Sequence, residues 1–242
     1  MTKNALVTVL LMNYKRKLNL PIIIDSLKSQ SVTCKIFLWN NSGEDYNDDR
    51  LDLIINSSKN LKCWPRWSMA AYAETEYIMS HDDDLCFNSS DALEKLIESH
   101  QKNEKPGLAI GFNGVKLGDD LSYYPNKTQK LIRKVGIKRG AKHIKFPKKD
   151  TFVDIIKGRM IFCKTKDLKM APLFQDHNEN CDDIIISTAL SKGMLKHHIV
   201  TSSLNKKINE LSGGKDFNAV SQKINWEEYR TFVTKECFTI HE

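Results

Sequence analysis

Residues 77–86 read YIMSHDDDLC, and the three consecutive carboxylates Asp82, Asp83 and Asp84 are the residues whose types and spacing most directly suggest chemistry. Carboxylates packed this closely repel one another unless they share a cation or each faces water. Asp82 and Asp84 are alternate residues, so on an extended chain they project to the same side. Hard oxygens in that arrangement suit Mn²⁺ or Mg²⁺, whose shell is completed by water and a substrate's phosphates. A solvated acidic surface is the competing reading. The apolar segment directly before the triplet favours the metal, because ligands of open α/β sheets bind outside the carboxyl ends of the strands. His81 reads as a spacer beside the triplet.

That position depends on the elements around it. "ALVTVLLM" is an almost unbroken apolar run of eight, suited to a strand buried on both faces of a parallel sheet. Asn19 can cap the next helix, Pro21 suits its first turn, and Leu20, Ile23, Ile24 and Leu27 follow helical spacing. "KIFLW" is the second strand, ended by "NNSG", which completes a βαβ unit. "LDLII" reads as a short third strand and "WPRWSMAAYAE" as a helix. "EYIMS" then delivers the acidic triplet, and Asp91 with Glu94 resembles a capping box opening the helix "ALEKLIESHQ". Further along, "GLAIGFNGV" and "DIIKGRMIFC" are expected strands. "CDDIIISTALSKG" is read as a helix, although its three isoleucines favour a strand. "LSGGKD" reads as a glycine-containing loop and "WEEYRTFV" as a short helix.

With 242 residues, 40% hydrophobic and 28% charged, the chain has the composition of a globular protein with room for one large core. No apolar run approaches a membrane span and no leader is evident, so a cytoplasmic protein without a transmembrane segment is expected. Six cysteines without a C-x-x-C pair argue against a zinc ribbon and for reduced thiols. The net charge of +7 is local: Lys127 to Lys149 holds ten Lys or Arg and no acid, which suits either a solvated surface or contact with an anionic surface.

"VTVLLMNYKR", "LWNNS", "NLKCWPRW", "YIMSHDDDL" and "NENCDDIIISTALSKG" come in an order that resembles nucleotide-sugar-dependent glycosyltransferases of the GT-A fold. The nearest likeness is to the exostosin-like group, with a broader one to family-two enzymes. The resemblance covers most of residues 5 to 200. It implies a three-layer α/β/α, Rossmann-like domain over 1–242 with a mostly parallel central sheet. About 1–90 would form the nucleotide-sugar half, about 91–200 the acceptor half, and about 201–242 a C-terminal loop and helix. Two departures stand out: Lys62 occupies a place where Gly is often found, and no further His ligand follows the later acidic pair.

Roles carried over from the resemblance are these. Asn13, Tyr14 and Arg16, with Asn40 and Asn41, would surround the base. Asn60 and Arg66 would reach base and diphosphate, Arg66 through bidentate hydrogen bonds, although a helix-start surface residue is an equal reading. Asp82 or Asp83 would hold the ribose, with Asp84, joined by Asp82, on the Mn²⁺ or Mg²⁺. Asp183 would take the acceptor proton in an inverting reaction, with Asp182 the second candidate and Asn180 positioning the donor. The competing reading of "CDDI" is a helix start whose acids meet the helix dipole. Arg230 would reach the diphosphate, "LSGGKD" would close as a lid, and His197 or His198 would complete the metal shell. Tyr123 and Tyr124 would lie on the acceptor side. The expected reaction moves a hexose-type sugar from a nucleotide-sugar donor, UDP-linked, to a saccharide or glycoprotein hydroxyl. Two alternatives are a sugar-nucleotide pyrophosphorylase, disfavoured because "NYKRKLNLP" has no glycine, and a basic polyanion-binding module.

Overall fold

The computed structural model describes residues 4–125, 140–171, 180–212 and 225–240. The apolar run after Leu6 forms β1 (Val7–Asn13), which is buried along nearly its whole length because it has parallel neighbours on both sides. Helix α1 (Leu20–Lys28) follows, with Leu20, Ile23, Ile24 and Leu27 all buried against the sheet. Truncating Ile23 to Ala would cost about 2–5 kcal/mol. β2 (Cys34–Asn40) and β3 (Leu53–Asn56) continue the parallel order.

The expected helix after Trp64 is shorter than its sequence suggests: α2 (Pro65–Ser68) gives way to a 3-10 turn at Met69–Tyr72. β4 (Tyr77–His81) is fully buried, and β5 (Leu85–Phe87) and α3 (Ala92–Lys102) follow. The two expected strands of the later region are each broken. "GLAIGFNGV" divides into β6 (Ala109–Gly111) and β7 (Asn113–Lys116), in different sheets. After β8 (Lys142–Lys145) and β9 (Thr151–Val153), "DIIKGRMIFC" divides into β10 (Ile155–Ile156) and β11 (Met160–Lys164). The turn Lys157–Gly158–Arg159 separates them.

The chain continues through α4 (Thr165–Met170), α5 (Asp182–Ser191), β12 (His198–Val200), β13 (Ile208–Glu210) and α6 (Trp226–Thr239). The isoleucines of α5 are helical because every residue of that helix is buried, and burial overrides their β preference. Lys192 ends the helix in the left-handed conformation, with Gly193 at φ +74° behind it.

The main sheet runs β3-β2-β1-β4-β11-β6-β12-β9. β11 and β9 run antiparallel to their neighbours and the other six strands share one direction. One face packs on α1 and α3, the other on α2, α4 and α5, which makes three α/β/α layers. A small sheet, β10-β7-β8, packs with α6 in a third cluster that includes Val115, Tyr123, Ile184 and Val233. Among the described residues no helix is long and apolar enough to cross a membrane, and all six cysteines are free.

Two expected caps take other partners. Asn19 does not cap α1; its amide donates to the carbonyls of Asp83 (2.8 Å) and Ser212 (2.9 Å). Asp91 and Glu94 form no capping box, because Asp91 pairs with Lys207 and Glu94 accepts from Ser31. The Leu93 amide is capped instead by the side chain of Gln30 at 3.1 Å. Most of the basic stretch and of "LSGGKD" lies outside the described residues.

Candidate active site

The parallel register sets the carboxyl ends of β1, β2 and β4 along one edge, with Leu11 opposite His81 and Asn13 opposite Asn40. β11 runs the other way beside β4, pairing Met160 with His81, so the Lys157–Arg159 turn arrives next to Asp82. The Asp82 amide donates to the Arg159 carbonyl at 3.1 Å. A cavity of ≈ 510 Å³ opens at this edge. Tyr14, Arg16, Asn41, Asn60 and Arg66 are in its wall, together with Asp82, Asp83, Asp84, Asn180, Asp182, Asp183 and Arg230.

Arg66 is the central side chain. It is buried, and its guanidinium donates to Asp82 Oδ1 (2.6 Å), Asp182 Oδ2 (2.8 Å) and the Gly158 carbonyl (3.2 Å). Thus one cation joins the acidic triplet to the later acidic pair, 100 residues away in sequence. Burial works against its charged form, and the charges of Asp182 and Asp82 more than offset that, so its pKa is raised. Asp182 also accepts the Trp67 indole N–H at 2.7 Å. Arg66 is therefore neither a surface residue nor free to move: α2 places it between two carboxylates.

Asp183 accepts from Arg230 Nη2 (2.7 Å), the Gly158 amide (3.3 Å) and its own helix at Ile184 (3.0 Å). Arg230 comes from α6 and lies over the Tyr123 ring at 4.2 Å and the Trp226 ring at 5.2 Å. Tyr123 is buried, and Tyr124 and Trp226 stand in the cavity wall.

The three triplet carboxylates have different surroundings. Asp83 accepts from the Tyr14 amide (2.7 Å) and from Arg16, tying the turn to the end of β1. Burial raises its pKa to about 6, opposed by Arg16. Asp82 and Asp84 each give one oxygen to an arginine, Asp82 to Arg66 and Asp84 to Arg159 (3.0 Å). Their second oxygens make no hydrogen bond among the described residues. Burial raises the Asp82 pKa, Arg66 opposes it, and the charge of Asp84 adds to the rise. Two neighbouring carboxylates with unused oxygens fit a Mn²⁺ or Mg²⁺ shared with a substrate's phosphates. They do not make a closed protein cage, since no group of three or more His, Cys, Asp or Glu that could hold a metal occurs among the described residues.

Other expected residues lie elsewhere. Asn13 and Asn40 are buried behind the wall, bonded to each other at 2.8 Å, with Asn40 also holding Asn56 and Glu44. Their amides organise the strand ends and are not in the cavity wall. Asn41 acts one layer closer, accepting from the Leu61 amide and donating to the Lys62 carbonyl. Lys62 has φ +65°, the left-handed conformation that favours glycine. This accounts for a glycine preference at that place. His198 begins β12; its ring accepts from the Ala109 amide and donates to the Ser187 carbonyl. His197 bonds the Pro106 carbonyl, and neither imidazole is in the cavity wall. His81 is fully buried, donates from Nδ1 to the Asp82 carbonyl, and is held down to about 4 chiefly by burial.

Met12, Cys63 and Trp226 are wall residues that sequence reading missed, and so are Lys157, Gly158 and Arg159, which sit inside what reads as one apolar strand. A glycine between two basic residues within an apolar run was the available signal.

No family model matches the chain, and no curated protein matches it. Among solved structures it is similar to S. aureus TarS 1–349 in complex with UDP-GlcNAc, with TM-score 0.56 and 13% identity over 97% of this chain and 66% of that one. A second match, S. aureus TarS 1–349 in complex with UDP, has TM-score 0.35 and 16% identity, covering 46% of this chain and 34% of that one. The chain thus spans at most 66% of the length of these structures. What the layers, strand order and this likeness together establish is the fold: a three-layer α/β/α domain of the GT-A, Rossmann-like type.

Proposed function

We propose that the protein is a glycosyltransferase that moves a sugar from a nucleotide-sugar donor, UDP-linked, to a hydroxyl of a saccharide or glycoprotein acceptor. The observation that carries the proposal is Arg66, which holds the Asp82–Asp84 turn and the Asp182–Asp183 pair against one cavity at the strand carboxyl ends. A protein of the same fold crystallised with UDP-GlcNAc supports the choice of donor. The finer likeness to the exostosin-like group rests on the motif order alone.

Departure of a sugar from a nucleoside diphosphate builds negative charge on the β-phosphate and positive charge at the anomeric carbon. Asp84 and Asp82 would hold a Mn²⁺ or Mg²⁺, which when bound neutralises charge on the leaving group. The chain's own part is positional. Asn41 holds the Asn60–Lys62 loop, which forms one side of the donor pocket. Arg66 keeps Asp82 and Asp182 at fixed separation. Asp183, fixed by Arg230 and the Gly158 amide, receives the acceptor proton if the anomeric centre inverts; in a retaining reaction it faces the developing positive charge. The anomeric configuration of the product, read by NMR, distinguishes these roles.

A thermal-shift panel of UDP, GDP and CDP with and without Mn²⁺ tests the reading, since a ligand that binds only the native state raises Tm. Stabilisation by UDP above the other nucleotides, enhanced by Mn²⁺, is the expected result. Indifference to all three nucleotides in both conditions would overturn it.

A further inference from the structure

Two lysines of the cavity wall, Lys62 and Lys157, carry positive charge without a carboxylate partner among the described residues, and only Lys157 stands on the turn beside Arg66 and Asp183. Each of its arginines has a carboxylate partner: Arg16 with Asp83, Arg66 with Asp82 and Asp182, Arg159 with Asp84, and Arg230 with Asp183. Lys157 has none within salt-bridge distance among the described residues. Its ammonium donates instead to Nδ1 of His143 at 3.1 Å, while Nε2 of that ring donates to the Tyr123 carbonyl at 2.9 Å. His143 is held down to about 4 chiefly by burial, so it is neutral at pH 7 and offsets none of the lysine's charge.

The backbone that carries Lys157 is pinned at every step. Its amide donates to the Asn113 carbonyl (3.0 Å) and its carbonyl accepts from the Met160 amide (3.3 Å). Gly158 gives its amide to Asp183 and its carbonyl to Arg66. A Cβ at Gly158 would lie 3.3 Å from both Arg66 Nη2 and Asp183 Cβ, tighter than ordinary contact, so the turn is pressed against the Arg66–Asp183 junction because glycine permits it. The backbone is thus fixed and a hydrogen bond to His143 holds the ammonium, and positive charge in a partly enclosed cavity binds anions well.

We propose that the Lys157–Arg159 turn is a diphosphate-binding element, in which the Lys157 ammonium takes the phosphate oxygens, so that diphosphate binding persists without a divalent ion. The assignment of that diphosphate to a nucleotide-sugar donor rests on the function proposed above. Burial lowers the Lys157 pKa to about 8; Asp183 opposes the shift, and Arg230, Arg159 and Lys145 add to it. A bound diphosphate supplies the counter-charge this position lacks.

Isothermal titration of the intact chain with UDP, UMP and inorganic pyrophosphate, in EDTA and in Mn²⁺, tests the element. In EDTA the unaltered protein should bind UDP about tenfold or more tighter than UMP, and should bind pyrophosphate measurably. Lys157→Met should weaken UDP and pyrophosphate about ten- to a hundredfold, the worth of one charge-assisted hydrogen bond, with UMP changed far less. Lys157→Arg, which keeps the charge, should stay near the unaltered affinity. Equal UDP and pyrophosphate binding by Lys157→Met and the unaltered chain would overturn the proposal, as would no binding of either in EDTA. Lys157-dependent binding of pyrophosphate without any preference for UDP would uphold the element and reject the donor.

Discussion

Asp82–Asp84 and Asp182–Asp183 face the same cavity, meet the same Arg66, and are nevertheless held differently. The Asp82 side chain is 31% exposed and shares one oxygen with Arg66, whereas Asp182 is 5% exposed and receives both the Arg66 guanidinium and the Trp67 indole. The triplet sits on a turn at the end of a buried strand, with oxygens left over. The pair opens a fully buried helix and has Arg66 on one side and Arg230 on the other. The same side-chain type is therefore put to different use: the first group has capacity for a cation, and the second is already neutralised by protein. A carboxylate fixed between donors suits work that needs one geometry, and one with an unused oxygen suits exchange of ligands.

The strongest way to break this contrast is Asp183→Asn. Transfer should fall about 10²–10⁴-fold in steady-state assays, with UDP affinity nearly unchanged, if the group acts on the acceptor proton. Retained turnover would separate the fold from the catalytic assignment. Arg66→Ala should come next, destabilising the chain by about 3–5 kcal/mol in denaturant titration, because it leaves Asp182 buried without its cation. A smaller loss would mean that the two acidic groups do not depend on their shared arginine. Asp84→Asn should abolish the Mn²⁺-dependent part of the UDP thermal shift and leave the metal-free part in place, whereas Asp183→Asn should keep both.

Two pH effects sharpen the same comparison. Lys157 loses its proton as pH rises through about 8, so metal-free UDP affinity should decline across that range and the decline should vanish in Lys157→Arg. Asp83 has its folded pKa raised to about 6 from an ordinary 3.8, so between those values the native state binds more protons than the unfolded one. Its contribution to stability is fully present at low pH and is lost as pH climbs through about 6; Asp83→Asn should flatten that part of the stability curve. The smallest effect expected is at Lys62, where Lys62→Gly should stabilise the loop by about 0.5–1 kcal/mol through relief of the left-handed backbone.

Legibility differs between the two halves of the chain for a physical reason. β1, α1, β2 and β4 are read directly because long apolar runs and one helical stripe encode them, and the carboxyl-end rule then places Asp82–Asp84 beside a cavity. The later strands are two to five residues long and pair with partners far away in sequence, so their breaks leave no periodic trace. That is why the Lys157–Arg159 turn was hidden within an expected strand. Asn13, Asn40 and Asn19 illustrate a second limit: an asparagine at a strand end looks the same in sequence whether its amide meets a ligand or another buried amide. The helix α5, with its isoleucines, was decided by burial that only the tertiary fold supplies.

Asn19 joins the carbonyl of Asp83 to that of Ser212, and Arg230 reaches back 47 residues to Asp183. During translation the ribosome delivers Arg16, Asn19 and Arg66 before the acidic turn that they hold, whereas Asp183 is made before its partner Arg230. The strands of the main sheet are all made before α6, the helix that adds Trp226 and Arg230 to the cavity wall.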